Sequence, residues 1–149
     1  MSRALFLLAA LALALPLSAA EEPEAVYAKY HRAAAAGNLD EMQRYTTDEQ
    51  RAEMSRLSPE QKASSVKMID TIMPVKYTVR AKTVYPDSKI ARLYLSGPAR
   101  TTLDGKPGTL YGVIRLVIQH GEWKIANVAW SNEDPGIPSE ARPAKGAKK

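Results

Sequence analysis

From Glu21 to Ala36 the apolar side chains Val26, Tyr27, Tyr30, Ala33 and Ala34 recur along one helical stripe, and Gly37 stands where a left-handed C-terminal cap belongs. Asn38, with Glu41 three residues later, reads as a capping box for a second helix with Leu39, Met42 and Tyr45 facing inward. Thr47 with Gln50 repeats the signal, and Ser58-Pro59-Glu60-Gln61 gives it again with proline at the first helical position. This last helix is predicted from Pro59 to about Met73, with Ala63, Val66, Ile69 and Met73 as its buried stripe and Pro74 as its stop.

The period then changes from helical to alternating. Val75, Tyr77, Val79, Ala81, Thr83 and Tyr85 fall on one side and Lys76, Thr78, Arg80 and Lys82 on the other, which predicts a half-buried strand with one wet face. Pro86-Asp87 marks a turn, and Ile90 to Leu95 opens a second strand, bent at Gly97-Pro98 and continuing toward Leu103. Asp104-Gly105 is a hairpin signal. Thr109 to Gln119 is apolar on both faces, Leu110, Ile114, Leu116 and Ile118 opposing Tyr111, Val113 and Val117, so a central place is expected for it. His120-Gly121 closes the next hairpin, and Glu122 to Trp130 forms the last strand. Helices followed by an antiparallel meander predict an α+β domain with helices on one face of a curved sheet of about four strands.

The two ends follow other rules. Residues 1–20 carry a single cation, Arg3, then an apolar run from Ala4 to Leu15, Pro16, and the small residues Ser18-Ala19-Ala20. That is the layout of a secretory signal peptide cleaved after Ala20, and the run is shorter than the roughly 20 residues a membrane-spanning helix needs. A periplasmic or secreted location follows as an expectation, with no transmembrane segment after processing. The domain is expected over 21–134, and 135–149, with its prolines, glycines and no apolar period, as a disordered basic tail.

Composition removes most chemistry. The chain of 149 residues has no cysteine and two histidines, which excludes a disulfide scaffold, a thiol nucleophile and a thiolate metal site. No metal or cofactor is expected. Of the 21 cations, Arg142, Lys145, Lys148 and Lys149 crowd the C-terminal end, so the net charge of +5 owes much to a tail and gives poor support for nucleic-acid binding.

Two local phrases carry a resemblance. Tyr30-His31-Arg32-Ala33-Ala34-Ala35-Ala36-Gly37-Asn38-Leu39-Asp40-Glu41-Met42 and Gln119-His120-Gly121-Glu122-Trp123-Lys124-Ile125 bracket the central Leu103-Asp104-Gly105-Lys106 turn. Together they resemble the nuclear-transport-factor-2-like superfamily, with its cystatin-like cone of helices in the hollow of a curved sheet. Small secreted bacterial domains, some lumazine-binding-like, look most similar. The resemblance covers about residues 22–130 and is nearly silent on activity.

The superfamily includes ketosteroid isomerases and polyketide cyclases, and an isomerase-type site would need an aspartate base and a tyrosine–acid donor pair in the cone. No such pattern occurs here, and no catalytic residue is carried over. Asp70, His31 and Tyr77 are the substitutes an isomerase or cyclase would have to use. Arg115 alternates with Tyr111, Val113 and Val117 on an internal strand, where a cation must meet a carboxylate, solvent or an anionic ligand. Arg92 and Tyr94 extend the same patch on the neighbouring strand. Arg115, Tyr94, Arg92 and Tyr111 are therefore the candidate ligand-binding residues. The leading expectation is an exported non-catalytic domain, paired as a homodimer, that binds a small apolar or anionic ligand or an envelope protein. An isomerase-type enzyme and an envelope-associated structural factor contacting its surface through the basic tail are the alternatives.

Overall fold

The computed structural model describes residues 21–100 and 108–143. The expected signal with its cleavage site, Leu103 with the Asp104-Gly105 turn, and the last residues of the tail lie outside these. Four helices, α1 (Pro23–Ala35), α2 (Leu39–Gln43), α3 (Asp48–Ser55) and α4 (Pro59–Ile72), precede the strands. The strands are β1 (Thr78–Tyr85), β2 (Ile90–Pro98), β3 (Thr109–Gln119), β4 (Glu122–Ser131) and the two-residue β5 (Arg142–Pro143). They form one antiparallel sheet in the order β4-β3-β2-β1-β5. The protein is α+β, with helices packed against one face of the sheet. Among the described residues no helix is long and apolar enough to cross a membrane.

Local sequence explains the helices. Each of the five residues in the α1 stripe is buried, Tyr27 completely. Gly37 adopts φ +65°, and the Asn38 and Gly37 amides donate to the Ala33 and Ala34 carbonyls at 2.9 and 3.0 Å, the Schellman closure that only a residue tolerant of positive φ permits cheaply. Ser58 and Gln61 cap α4 reciprocally. At α2 and α3 only half of the box forms. The Asn38 and Thr47 side chains accept from the Glu41 and Gln50 amides, while the Glu41 carboxylate takes the Tyr45 hydroxyl and the Gln50 amide reaches the Ala126 carbonyl.

The core lies between α1 and the sheet, where Val26, Tyr27 and Tyr30 meet Leu93, Leu95, Ile114, Leu116 and Ile125. β3 is internal as expected, with β2 at the middle of the sheet. The free edge of β4 is covered by the α2–α3 link, where the Ile125 amide donates to the Tyr45 carbonyl at 2.7 Å and the Thr47 amide to the Ile125 carbonyl at 3.1 Å.

Three features depart from the sequence pattern. The alternation through β1 is broken by a bulge at Arg80, since Val79 pairs with Leu95 but Ala81 pairs with Tyr94. One extra residue exchanges the two faces. Tyr77 and Val79 therefore join the core, whereas Ala81, Thr83 and Tyr85 share the outer face with Tyr94, and Lys82 turns inward to Glu22 and Glu24 of the α1 start. In α4 the predicted stripe is not buried. Ala63 is exposed, Val66 and Ile69 are half-buried, only Met73 beyond the helix is enclosed, and Met68 and Ile72 face outward.

The third departure is the tail, expected to be disordered from 135. Asp134 pairs with Arg80 at 2.9 Å, Glu140 accepts from the Tyr85 hydroxyl at 3.2 Å, and Arg142–Pro143 add a fifth strand beside Ala81 and Lys82. The chain thus leaves the β4 edge and reaches the opposite edge as a strap. Composition missed it because few polar anchors, not an apolar period, hold it down. On the face away from the helices Ala81, Thr83 and Tyr94 are buried, and the strap's Pro143 pairs directly with Ala81.

Candidate functional site

α3 and α4 contribute no buried residue, so their hairpin stands off the α1 layer instead of filling it. A cleft of about 330 Å³ results. Its walls are Tyr30 of α1, Met42 of α2, Met54 of α3, Leu57 just past the α3 C-cap, and Ile69 of α4. Gln43, Thr46, Gln50 and Glu53 supply its polar groups. Two methionines give the wall adaptable shape, and burial raises the pKa of the Tyr30 hydroxyl to about 12, so it lines the cleft as a neutral group. Tyr30, Met42 and Ile69 all carried an inward signal in the sequence, whereas Met54 in α3 and Leu57 just beyond it, three residues apart in a mostly polar stretch, were missed.

Deeper in the core is an aromatic cluster. Tyr27 stacks on Tyr30 and meets the edge of Tyr77 at 5.1 Å, and His31 meets Tyr77 at 4.7 Å. His31 is buried, with Nε2 2.9 Å from the Pro74 carbonyl oxygen. Desolvation lowers its pKa, only partly offset by the bond to Pro74, so it is a neutral imidazole donating to that carbonyl. Burial drives the Tyr27 hydroxyl far above its ordinary pKa; the facing Trp130 indole opposes part of that rise without reaching hydrogen-bond geometry.

The residues proposed for acid–base work are not assembled as a site. Asp70 is an exposed carboxylate paired with Arg100 at 2.8 Å. His31 is committed to Pro74, and Tyr77 packs edge-on against Tyr27 and His31. The buried polar side chains among the described residues are His31, Thr46, Thr47 and Thr83, and none of them is a carboxylate. His120 lies on the surface beside Asp48.

The four predicted ligand residues all project from the outer face. Arg92 and Arg115 are direct cross-strand partners and both are exposed. Tyr94 is buried, and Tyr111 is half-covered by the Arg80 guanidinium 5.2 Å from its ring centre. They share a face, on which Tyr94 is enclosed while the two arginines are open to solvent.

No family model and no curated protein matches the chain. Among solved structures, a SEC-C motif containing protein from Rhodopseudomonas palustris superposes with a TM-score of 0.55 at 13% identity, covering 72% of this chain and 77% of that one. A protein described as a calcium/calmodulin dependent protein kinase II association domain, from Xanthomonas campestris, gives 0.48 at 19% identity, covering 76% and 86%. At such identities the first likeness concerns the fold alone, and the second carries no argument.

Proposed function

We propose that the protein is an exported, non-catalytic binding domain of the nuclear-transport-factor-2-like kind, and that its helical cleft takes a small apolar molecule bearing one hydrogen-bonding end. The observation that carries this reading is the cleft itself. Its volume of about 330 Å³ stands at the lower end of ligand pockets, and an apolar wall with a few convergent polar groups is their usual lining. A helix hairpin that buries none of its own residues is also the part of the fold most easily displaced to admit a ligand. The signal-like arrangement of residues 1–20 supports export.

The test uses a neutral apolar fluorophore, N-phenyl-1-naphthylamine, whose emission rises on leaving water. Wild-type protein is expected to enhance its emission saturably, and Leu57→Trp, which fills the cleft, to lose that enhancement while keeping its far-ultraviolet circular dichroism. Equal enhancement by the two proteins would overturn the assignment of the site. Export is checked independently by the denatured mass of the protein from the exported fraction of its host, which is expected to match a chain beginning at Glu21.

A further inference from the structure

The four long strands carry five cations, and the structure divides them. Arg80 pairs with Asp134, Lys82 with Glu22 and Glu24, and Lys124 with Glu122. The remaining two, Arg92 and Arg115, have no carboxylate within ion-pair distance among the described residues. They are also the two that the strand register sets directly opposite one another. Like charges directly opposite on a sheet repel, and direct cross-strand neighbours have Cβ atoms only about 5 Å apart. The one acidic side chain of the strap near Arg92 is not used to relieve this: Glu140 takes the Tyr85 hydroxyl, while the Arg92 guanidinium lies 5.8 Å from the centre of the same Tyr85 ring.

The register extends the pair into a row. Thr83, Arg92, Arg115 and Asn127 are successive partners across β1, β2, β3 and β4 on the outer face. The Thr83 hydroxyl, buried at the strap end of the row, has no hydrogen-bond partner. The neighbouring rows are Tyr85, Ile90, Val117 and Lys124 on one side, where Lys124 is committed to Glu122 and the Arg44 carbonyl, and the apolar Ala81, Tyr94, Val113 and Ala129 on the other. The row thus carries two exposed arginines, paired through the strand register and without a carboxylate partner among the described residues, and guanidinium groups are the side chains best suited to bind an oxyanion through paired N–H···O bonds.

We propose that Arg92 and Arg115 form a binding site for a small multivalent oxyanion, a phosphate or carboxylate compound, with Asn127 beside them. The site is separate from the helical cleft and does not depend on it. Bound anion turns the repulsion between the arginines into two charge-assisted contacts, so binding stabilises the fold.

The probes are pyrophosphate and citrate, compared with sodium chloride at matched ionic strength, using calorimetric titration and thermal unfolding of the whole protein. Wild type is expected to bind at least one probe and to melt higher with it than in chloride. Arg115→Gln is expected to weaken that binding about tenfold or more, yet to melt no lower than wild type in chloride because it removes a repulsion. Asn127→Asp places a carboxylate next to Arg115; it is expected to melt higher in chloride and to bind the probe less tightly. Preference for pyrophosphate would assign the site to phosphoryl groups and preference for citrate to carboxylates, either one upholding an oxyanion site. The proposal is overturned if neither probe raises the melting temperature beyond chloride, if Arg115→Gln binds as wild type does, or if Arg115→Gln melts lower in chloride, which would reveal a structural partner for Arg115.

Discussion

Pro74 sits where three parts of the fold meet. It is fully buried, its carbonyl accepts from His31 of α1, and its ring lies against Gly97 of β2. A methyl group added at Gly97 would stand 2.9 Å from both Cβ and Cγ of Pro74 and closer still to the Lys76 carbonyl oxygen. None of these atoms can rotate away, because a proline ring and a backbone carbonyl are fixed by the chain. Gly97→Ala therefore forces β2 away from the link that carries α4 into β1. Overpacking of this kind costs about 3 kcal/mol at the upper end of its range. Alanine returns about 0.5–1 kcal/mol by restricting the unfolded chain, which leaves a loss of about 2 kcal/mol. For a domain of this size that corresponds to a fall in melting temperature of about 8 °C.

Gly121→Ala is the control. It meets nothing within 4 Å but sits at φ +78°, so only conformational strain of about 1–2 kcal/mol is expected. Reversible urea unfolding of both variants and wild type, read by Trp fluorescence, separates the two costs. A Gly97→Ala variant that unfolds at the wild-type midpoint would refute the close packing of β2 against the Pro74 link.

Other expectations follow from single side chains. The depressed pKa of His31 means that the unfolded state binds its proton first, so stability should decline as pH falls through the ordinary histidine value of 6.5 toward the lower folded value; His31→Gln, which can still donate to Pro74, should flatten the stability profile between about pH 5 and 7, and an unchanged slope would clear His31. Tyr27→Phe removes a buried hydroxyl with no partner and should leave stability unchanged or raise it by about 1 kcal/mol; a loss of that size in chemical denaturation would reveal a bond that Tyr27 makes in solution. Asp134→Ala cuts both the Arg80 pair and the Gly136 amide bond and should speed hydrogen exchange across the strap while changing global stability by less than about 1 kcal/mol. A larger global loss would make the strap part of the cooperative core.

The local sequence determined what neighbouring residues decide among themselves. The buried stripe of α1, the closure at Gly37, the Ser58 box and the hairpin at His120-Gly121, where both residues take positive φ, all follow from side-chain period and backbone preference within a few positions. That Arg92 shares a face with Tyr94, and Arg115 with Tyr111, was legible for the same reason, since alternation holds wherever no residue is inserted, but that this face is the one away from the helices was not. Only the tertiary structure decided the rest. The bulge at Arg80 exchanges the faces of β1 and is invisible to a pattern that remains alternating on either side of it. The exposed α4 and the cleft beneath it depend on how far the helix hairpin stands from α1, a distance that no period encodes. The strap reaches the far edge of the sheet through Arg80, Tyr85 and two strand residues, contacts separated by more than fifty positions along the chain. Register, finally, made one facing pair of Arg92 and Arg115, because which residues of two strands lie opposite is set by the whole sheet.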